Sequence, residues 1–275
     1  MDVSPISLPT RVGQATVEAS AASVLSRTGG FLSAYDYSLN PYVGCSFGCS
    51  YCYAAAFVGR RDLRETWGRW VKVKIDAPRQ VRRANLADAR VYMSSATDPY
   101  QPVEARLGLT RDILEALAEP FRQPRLVVQT RSPLVTRDLD LLGRFRALRV
   151  GVSITTDSDS VRRAFEPSCA SIERRLELVR QLRAAGIRVA VCLTPMLPMD
   201  DAERFGRLIA EIGPELVVVQ PFHITDRPFA ADTRAEAWDL ASEYSWDRAA
   251  YRRAVESLRK SLPDLREGKA GFPPV

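Results

Sequence analysis

Histidine is almost missing from this chain of 275 residues: His223 is the only one. Lysine is nearly as scarce, with only Lys72, Lys74, Lys260 and Lys269 among 39 basic residues. No apolar run approaches the roughly 18 residues needed to cross a bilayer, which excludes a transmembrane helix and any membrane partner of that kind. Residues 1–10 lack the basic start and apolar stretch of a secretory signal, so a cytoplasmic location is expected. Internal repeats and low-complexity tracts are absent too. A composition of 46% hydrophobic and 26% charged residues is ordinary for a globular protein. It excludes a disordered tail, a collagen-like rod and a small disulfide-stapled scaffold.

Cysteine is sparse, and its five residues make a poor disulfide framework. Their number is odd, and Cys45, Cys49 and Cys52 fall within eight residues, apart from Cys169 and Cys192. In a reducing compartment such a group points to metal binding or redox chemistry. The formal charge of +6 is carried almost wholly by arginine. Those arginines are scattered and interleaved with acids, so the charge permits a nucleic-acid partner without requiring one.

Periodicity alternates along the chain. Strands are expected at 34–38, 90–94, 126–130, 148–155, 187–193 and 216–220. Helices are expected at 53–67, at 110–119 capped by Thr110, and at 134–142. Two more run from Ser171 to a stop at Gly186, and from a cap at Asp200 to Gly213-Pro214. Alternation of this kind builds a parallel sheet covered by helices. Six units are too few for an eight-fold barrel, which leaves a partial barrel or an open doubly wound sheet. Either form collects ligands at the carboxyl ends of its strands. The organisation is read as an extension over 1–30, a core over 31–225 and a mostly helical C-terminal extension over 226–275.

The chemistry concentrates in Asn40-Pro41-Tyr42-Val43-Gly44-Cys45-Ser46-Phe47-Gly48-Cys49-Ser50-Tyr51-Cys52-Tyr53. Thiolates are the usual ligands of iron–sulfur clusters, and three of them anchor three irons of a four-iron cube, leaving one iron open. Gly44 and Gly48 allow the tight turns that aim three sulfurs together. A Cys3His zinc site using His223 is the main alternative.

C-x3-C-x2-C with Tyr51 before the last cysteine resembles the signature of the radical S-adenosylmethionine (SAM) superfamily. That resemblance implies an α/β fold, a partial (β/α)6 TIM-like barrel, with a [4Fe–4S] cluster on Cys45, Cys49 and Cys52. It also implies SAM on the open iron, reductive cleavage to a 5′-deoxyadenosyl radical, and an external one-electron reductant of flavodoxin or ferredoxin type. Finer features resemble the spore photoproduct lyase-like branch. They are Thr97-Asp98-Pro99-Tyr100-Gln101-Pro102-Val103-Glu104, Phe165-Glu166-Pro167, Arg175-Leu176 and Thr194-Pro195-Met196-Leu197-Pro198. Tyr51 and Tyr53 match tyrosines flanking the last cluster cysteine there. Spore photoproduct lyases, however, place a hydrogen-donating cysteine where this chain has Ser94-Ser95, and an O–H bond is too strong to replace that thiol.

Further candidates follow from position. Cys169, in the loop after the fourth strand, is the preferred hydrogen-atom donor, with small apolar filler as its ordinary role. Thr130, Arg131 and Ser153 end strands three and four, where the resemblance implies SAM contacts. Arg131 or Arg175 suits the methionine carboxylate. Ser95, Asp98, Glu104 and Glu166 complete the expected SAM-binding set, with Asp98 or Glu104 toward the ammonium. The expected activity is hydrogen abstraction from an organic substrate, spore photoproduct lyase-like. The alternatives are radical chemistry on a small molecule such as a nucleoside or sugar (epimerisation or bond cleavage), or a non-catalytic zinc or iron–sulfur module.

Overall fold

Six short segments rich in Val and Leu pair side by side in chain order. They are β1 (Tyr37–Leu39), β2 (Arg90–Met93), β3 (Arg125–Thr130), β4 (Leu148–Ser153), β5 (Arg188–Leu193) and β6 (Leu216–Val219), seen in a computed structural model. The structure describes residues 10–12, 15–20, 22–221 and 235–275, so His223 and the start of the C-terminal extension lie outside the described residues. Every neighbouring pair from β1 to β6 is parallel. Leu25–Arg27 closes the β1 edge antiparallel, and Arg266–Glu267 lies parallel to β6. The eight strands form an open sheet. An uninterrupted order without a reversal is the winding of a barrel wall, so the doubly wound alternative is excluded. Among the described residues the sheet does not close, and the fold is a partial barrel.

Alternation along each strand separates two faces. Val91, Met93, Leu126, Val128, Val150, Val152, Val189 and Val191 join the main core, which also holds Ile113, Leu117, Val179 and Ile209 from the covering helices. The opposite face carries Tyr92, Val127, Ala190, Cys192 and Val218, and the C-terminal Phe272 packs against it. Tyr35 Oη donates to the Pro273 carbonyl at 3.0 Å. The extension after helices Ala235–Glu243 and Arg248–Arg259 thus returns to line the inner face of the wall.

Caps account for most of the helix boundaries. Ser171 accepts a bond from the Arg174 amide at the start of Ile172–Ala184, and Gly186 follows its end at φ +75°. The strand expected over 34–38 starts only at Tyr37, because the 3-10 turn Gly30–Leu32 continues through turn and bend over 33–36, with Tyr35 N–H donating to the Leu32 carbonyl at 2.9 Å. Four helix expectations also need correction. The helix over 53–67 is broken into a 3-10 turn, Tyr53–Phe57, and a short helix, Arg61–Glu65, with extended backbone at Val58 and Arg60 around Gly59. The segment 134–142 is likewise a 3-10 turn, Pro133–Asp138, running into a single helical turn, Leu139–Leu142. Gly108, in the left-handed conformation, precedes helix Leu109–Leu117, while Thr110 Oγ1 is committed to the Pro99 carbonyl at 2.6 Å. Asp201, one residue beyond Asp200, caps Ala202–Ile212. No helix among the described residues is long and apolar enough to cross a membrane.

Candidate active site

The cysteine loop begins directly after β1. Tyr42–Val43 pairs antiparallel with Trp70–Val73, which fixes where the loop leaves the sheet. Gly44 then turns at φ +83°. A Cβ there would sit 2.7 Å from the Trp70 ring and 2.8 Å from the Trp70 carbonyl, so only glycine fits. Gly48 turns at φ +60° against the backbone of Gly68. Within the loop, Gly48 N–H donates to the Cys45 carbonyl and Cys52 N–H to the Cys49 carbonyl, both at 3.2 Å.

Residues beyond the loop hold it in place. Gln101 Oε1 accepts from the Ser46 amide at 2.8 Å, and its Nε2 donates to the Gly44 carbonyl. Thr97 Oγ1 donates to the same carbonyl at 2.7 Å. Asn40 Oδ1 accepts from the Ala96 amide at 2.9 Å. Sequence reasoning did not assign roles to Gln101 and Asn40. Their signal was present, since each falls in a stretch already singled out.

Cys45 and Cys49 are buried and Cys52 half-buried, all three as free thiols. Burial, Asp98 and the two companion sulfurs push Cys45 well above its ordinary pKa. Burial and Cys49 raise Cys52 to about 11. Cys49 moves the other way, lowered by the hydrogen bond from Cys169 and by the Arg131 charge. The sulfurs of Cys49 and Cys169 are 3.9 Å apart. The donor set suits a cluster: three thiols on one loop, near enough to feel each other's charge, in a dry site where metal binding would displace their protons.

Beside the loop lies a buried polar group built from distant elements. Arg131, just past β3, places Nη1 2.7 Å from Glu166 Oε1, 2.6 Å from Tyr51 Oη and 3.2 Å from Cys49 Sγ. Tyr51 Oη also donates to Glu166, and Thr155 Oγ1 does so at 2.9 Å. Arg175 Nη2 is 2.6 Å from Glu166 Oε2, and neither side chain has any exposure. Its Nε and Nη1 reach the carbonyls of Ala170 and Ser153. Burial opposes ionisation of Glu166, but Arg175 and Arg131 outweigh it and bring the carboxyl down to about 2. Ser50 N–H donates to the Phe165 carbonyl at 2.9 Å, docking the cysteine loop onto the Glu166 turn.

The remaining expected residues divide by place. Asp98 accepts from Thr130 Oγ1 at 2.7 Å and the Arg131 amide at 2.9 Å, so these three meet at the end of β3. Burial holds the Asp98 carboxyl above its ordinary range despite those bonds. Ser153 Oγ accepts from Gln129 Nε2 at 2.8 Å, and Cys192 donates to Gln129 Oε1 on the same inner face. Ser95 Oγ is 2.6 Å from Ser38 Oγ, and its carbonyl accepts from Tyr53 Oη. Tyr53 is half exposed and meets Phe57 edge to face. Glu104 is fully engaged elsewhere, by Tyr42 Oη, the Thr110 amide at 2.9 Å and Arg137 at 2.6 Å.

Comparison with known proteins agrees with this geometry. An uncharacterized protein of Methanocaldococcus jannaschii is 33% identical over 162 residues, which is 59% of this chain and 61% of that protein. The chain thus spans less than two thirds of that relative. A radical SAM Nalpha-GlyT isomerase of Pseudomonas phage M6 is 28% identical over 188 residues, covering 66% of this chain and 38% of the isomerase. In structure, spore photoproduct lyase complexed with dinucleoside spore photoproduct superimposes with a TM-score of 0.60 at 17% identity. That alignment covers 91% of this chain and 81% of the lyase, a likeness of fold. The family model of the radical SAM superfamily matches residues 39–212, well over half of the sequence and the whole span from the cysteine loop to β5 and its following helix. The chain is therefore a member of the radical SAM superfamily.

Proposed function

We propose that the protein is a radical SAM enzyme that abstracts hydrogen from an organic substrate, in the manner of the spore photoproduct lyase-like branch. When bound, the cluster and SAM supply reductive sulfonium cleavage to a 5′-deoxyadenosyl radical. The observation carrying this reading is the three-thiol loop standing at the carboxyl ends of the parallel strands, against the Arg131–Glu166–Arg175 group. Cys45, Cys49 and Cys52 would hold three irons of the cluster. Thr130, Arg131 and Ser153, at the ends of β3 and β4, with Ser95 and Asp98 after β2, form the rim assigned to SAM; Glu166 and Arg175 brace Arg131. Glu104, committed to Arg137, acts on that rim only through Tyr42 and the loop start.

Cys169 takes the role of hydrogen donor, since its thiol sits at the cluster loop while Ser95 stands where the related lyases keep theirs. Tyr51 and Tyr53, on either side of Cys52, are assigned to the catalytic site, bonding Glu166 and the Ser95 carbonyl respectively. An external one-electron carrier of flavodoxin or ferredoxin type serves as reductant. A second reading, radical chemistry on a small nucleoside or sugar, is favoured by that same serine, which removes the thiol of dimer repair. Anaerobic incubation with dithionite and SAM tests the assignment by 5′-deoxyadenosine release. Candidate nucleic acids and free nucleosides are compared for stimulation. Cys52→Ala is expected to abolish release, and undiminished release would refute the proposal.

A further inference from the structure

Arg131 is placed to act on the cluster itself, and not solely on a SAM carboxylate. Its Nη1 stands 3.2 Å from Cys49 Sγ while the same nitrogen bonds Glu166 and Tyr51. The Arg131 Cζ is 5.9 Å from the centroid of the Tyr51 ring whose hydroxyl Nη1 bonds. Three partners, Glu166, Tyr51 and Cys49, share the two hydrogens of that one nitrogen and fix the head group far better than an exposed arginine is fixed. Glu166 is shared with Arg175, so the buried triad carries two positive charges and one negative. The Arg131 side chain is 15% exposed and Glu166 not at all, so solvent and salt screen the group weakly.

We infer that Arg131 is a positioning residue that raises the reduction potential of the cluster by donating N–H to the Cys49 sulfur. The inference rests on the radical SAM reading above. One-electron reduction by the external carrier adds negative charge that is shared by the cluster sulfurs. A hydrogen bond to sulfur and a nearby cation both favour the reduced form. Glu166 works against this by neutralising part of the positive charge. It also holds Arg131 in place through Oε1. The two residues therefore have opposite expected signs, which a purely structural role does not predict.

The test is an EPR-monitored redox titration of the anaerobically reconstituted protein without SAM, so that a role limited to the SAM carboxylate leaves the potential unmoved. Arg131→Gln should shift the reduction equilibrium at least tenfold toward the oxidised cluster, a midpoint about 59 mV more negative for one electron. Arg131→Lys, which keeps the charge but offers a single-point donor, should fall between. Glu166→Gln, similar in shape and uncharged, should move the midpoint in the positive direction. Arg188→Gln, which removes only the surface pair with Glu215 at 2.6 Å, should match wild type. A fully loaded Arg131→Gln protein with the wild-type potential overturns the inference. Should that variant fail to hold a cluster, a Glu166→Gln midpoint that is unchanged or more negative overturns it instead. Failure of the wild-type protein to assemble any cluster is a different result, and strikes the proposed function.

Discussion

Replacing Glu166 with alanine should destabilise the protein by about 3–5 kcal/mol, the range for breaking a buried ion pair from one side. The carboxylate has no exposure and answers two guanidiniums, Arg175 at 2.6 Å and Arg131 at 2.7 Å. Without it Arg175, itself fully buried, keeps only the Ala170 and Ser153 carbonyls as partners. The depressed carboxyl, lowered by the same two arginines, points the same way. A fall from 4.5 to about 2 corresponds to on the order of 3 kcal/mol favouring the charged form. For a chain of this length the loss is on the order of 6–10 °C in melting temperature, at roughly 2 °C per kcal/mol.

The pH dependence has a definite sign. Because the folded pKa lies below the unfolded one, the contribution is fully present above about pH 4.5 and is lost as pH falls toward about 2. The wild-type and Glu166→Ala unfolding curves, followed by circular dichroism in urea, should converge across that window. Glu166→Leu with Arg175→Met removes the two fully buried charges together, leaving the partly exposed Arg131 to Tyr51 and solvent, and should recover most of the loss. A Glu166→Ala protein within 1 kcal/mol of wild type at neutral pH, or a difference that widens on acidification, would refute the reasoning.

Three further outcomes are expected. Gly44→Ala should cost roughly 2 kcal/mol or more, because a side chain at φ +83° meets the Trp70 ring and carbonyl. Iron retained after reconstitution should fall with it, whereas Gly29→Ala, with nothing within 4 Å, should match wild type in both measurements. In cluster-free protein exposed to air, Cys49 and Cys169 should oxidise to a disulfide as oxygen is reduced to peroxide, since their sulfurs are 3.9 Å apart. Peptide mass mapping should find that pair and leave Cys192, buried against Gln129, as a free thiol. Cys169→Ala should still release 5′-deoxyadenosine but lose the final product; an unchanged product yield would reduce Cys169 to packing.

The parallel strands were legible because both faces of each are covered, so their apolar runs stand out from the polar segments between them. The caps at Ser171 and Gly186 were legible for a local reason, being chemistry within one turn. Trp70–Val73 was missed although Val71 and Val73 alternate with Lys72, because four residues gain strand form only from partners at 15–19 and 42–43. Arg266–Glu267 has two residues and no pattern at all; its pairing with β6 is imposed by the returning tail. The misplaced cap at Thr110 shows a hydroxyl drawn to a tertiary partner, Pro99, while the glycine before it makes the turn. The three-thiol loop was legible from its C-x3-C-x2-C spacing together with its resemblance to the radical SAM signature. The Arg131–Glu166–Arg175 group was not, because its members are read singly along the chain and meet only when β3, the turn after β4 and the next helix converge.

The most direct measurement is the EPR spectrum of anaerobically reconstituted, dithionite-reduced protein, recorded with and without SAM alongside iron and sulfide content. About four irons and four sulfides per chain are expected. The reduced signal should change shape when SAM is added, and Cys45→Ala should lose it. Protein that holds only zinc, or a reduced cluster whose spectrum ignores SAM because a fourth side chain fills the open iron, would contradict the account.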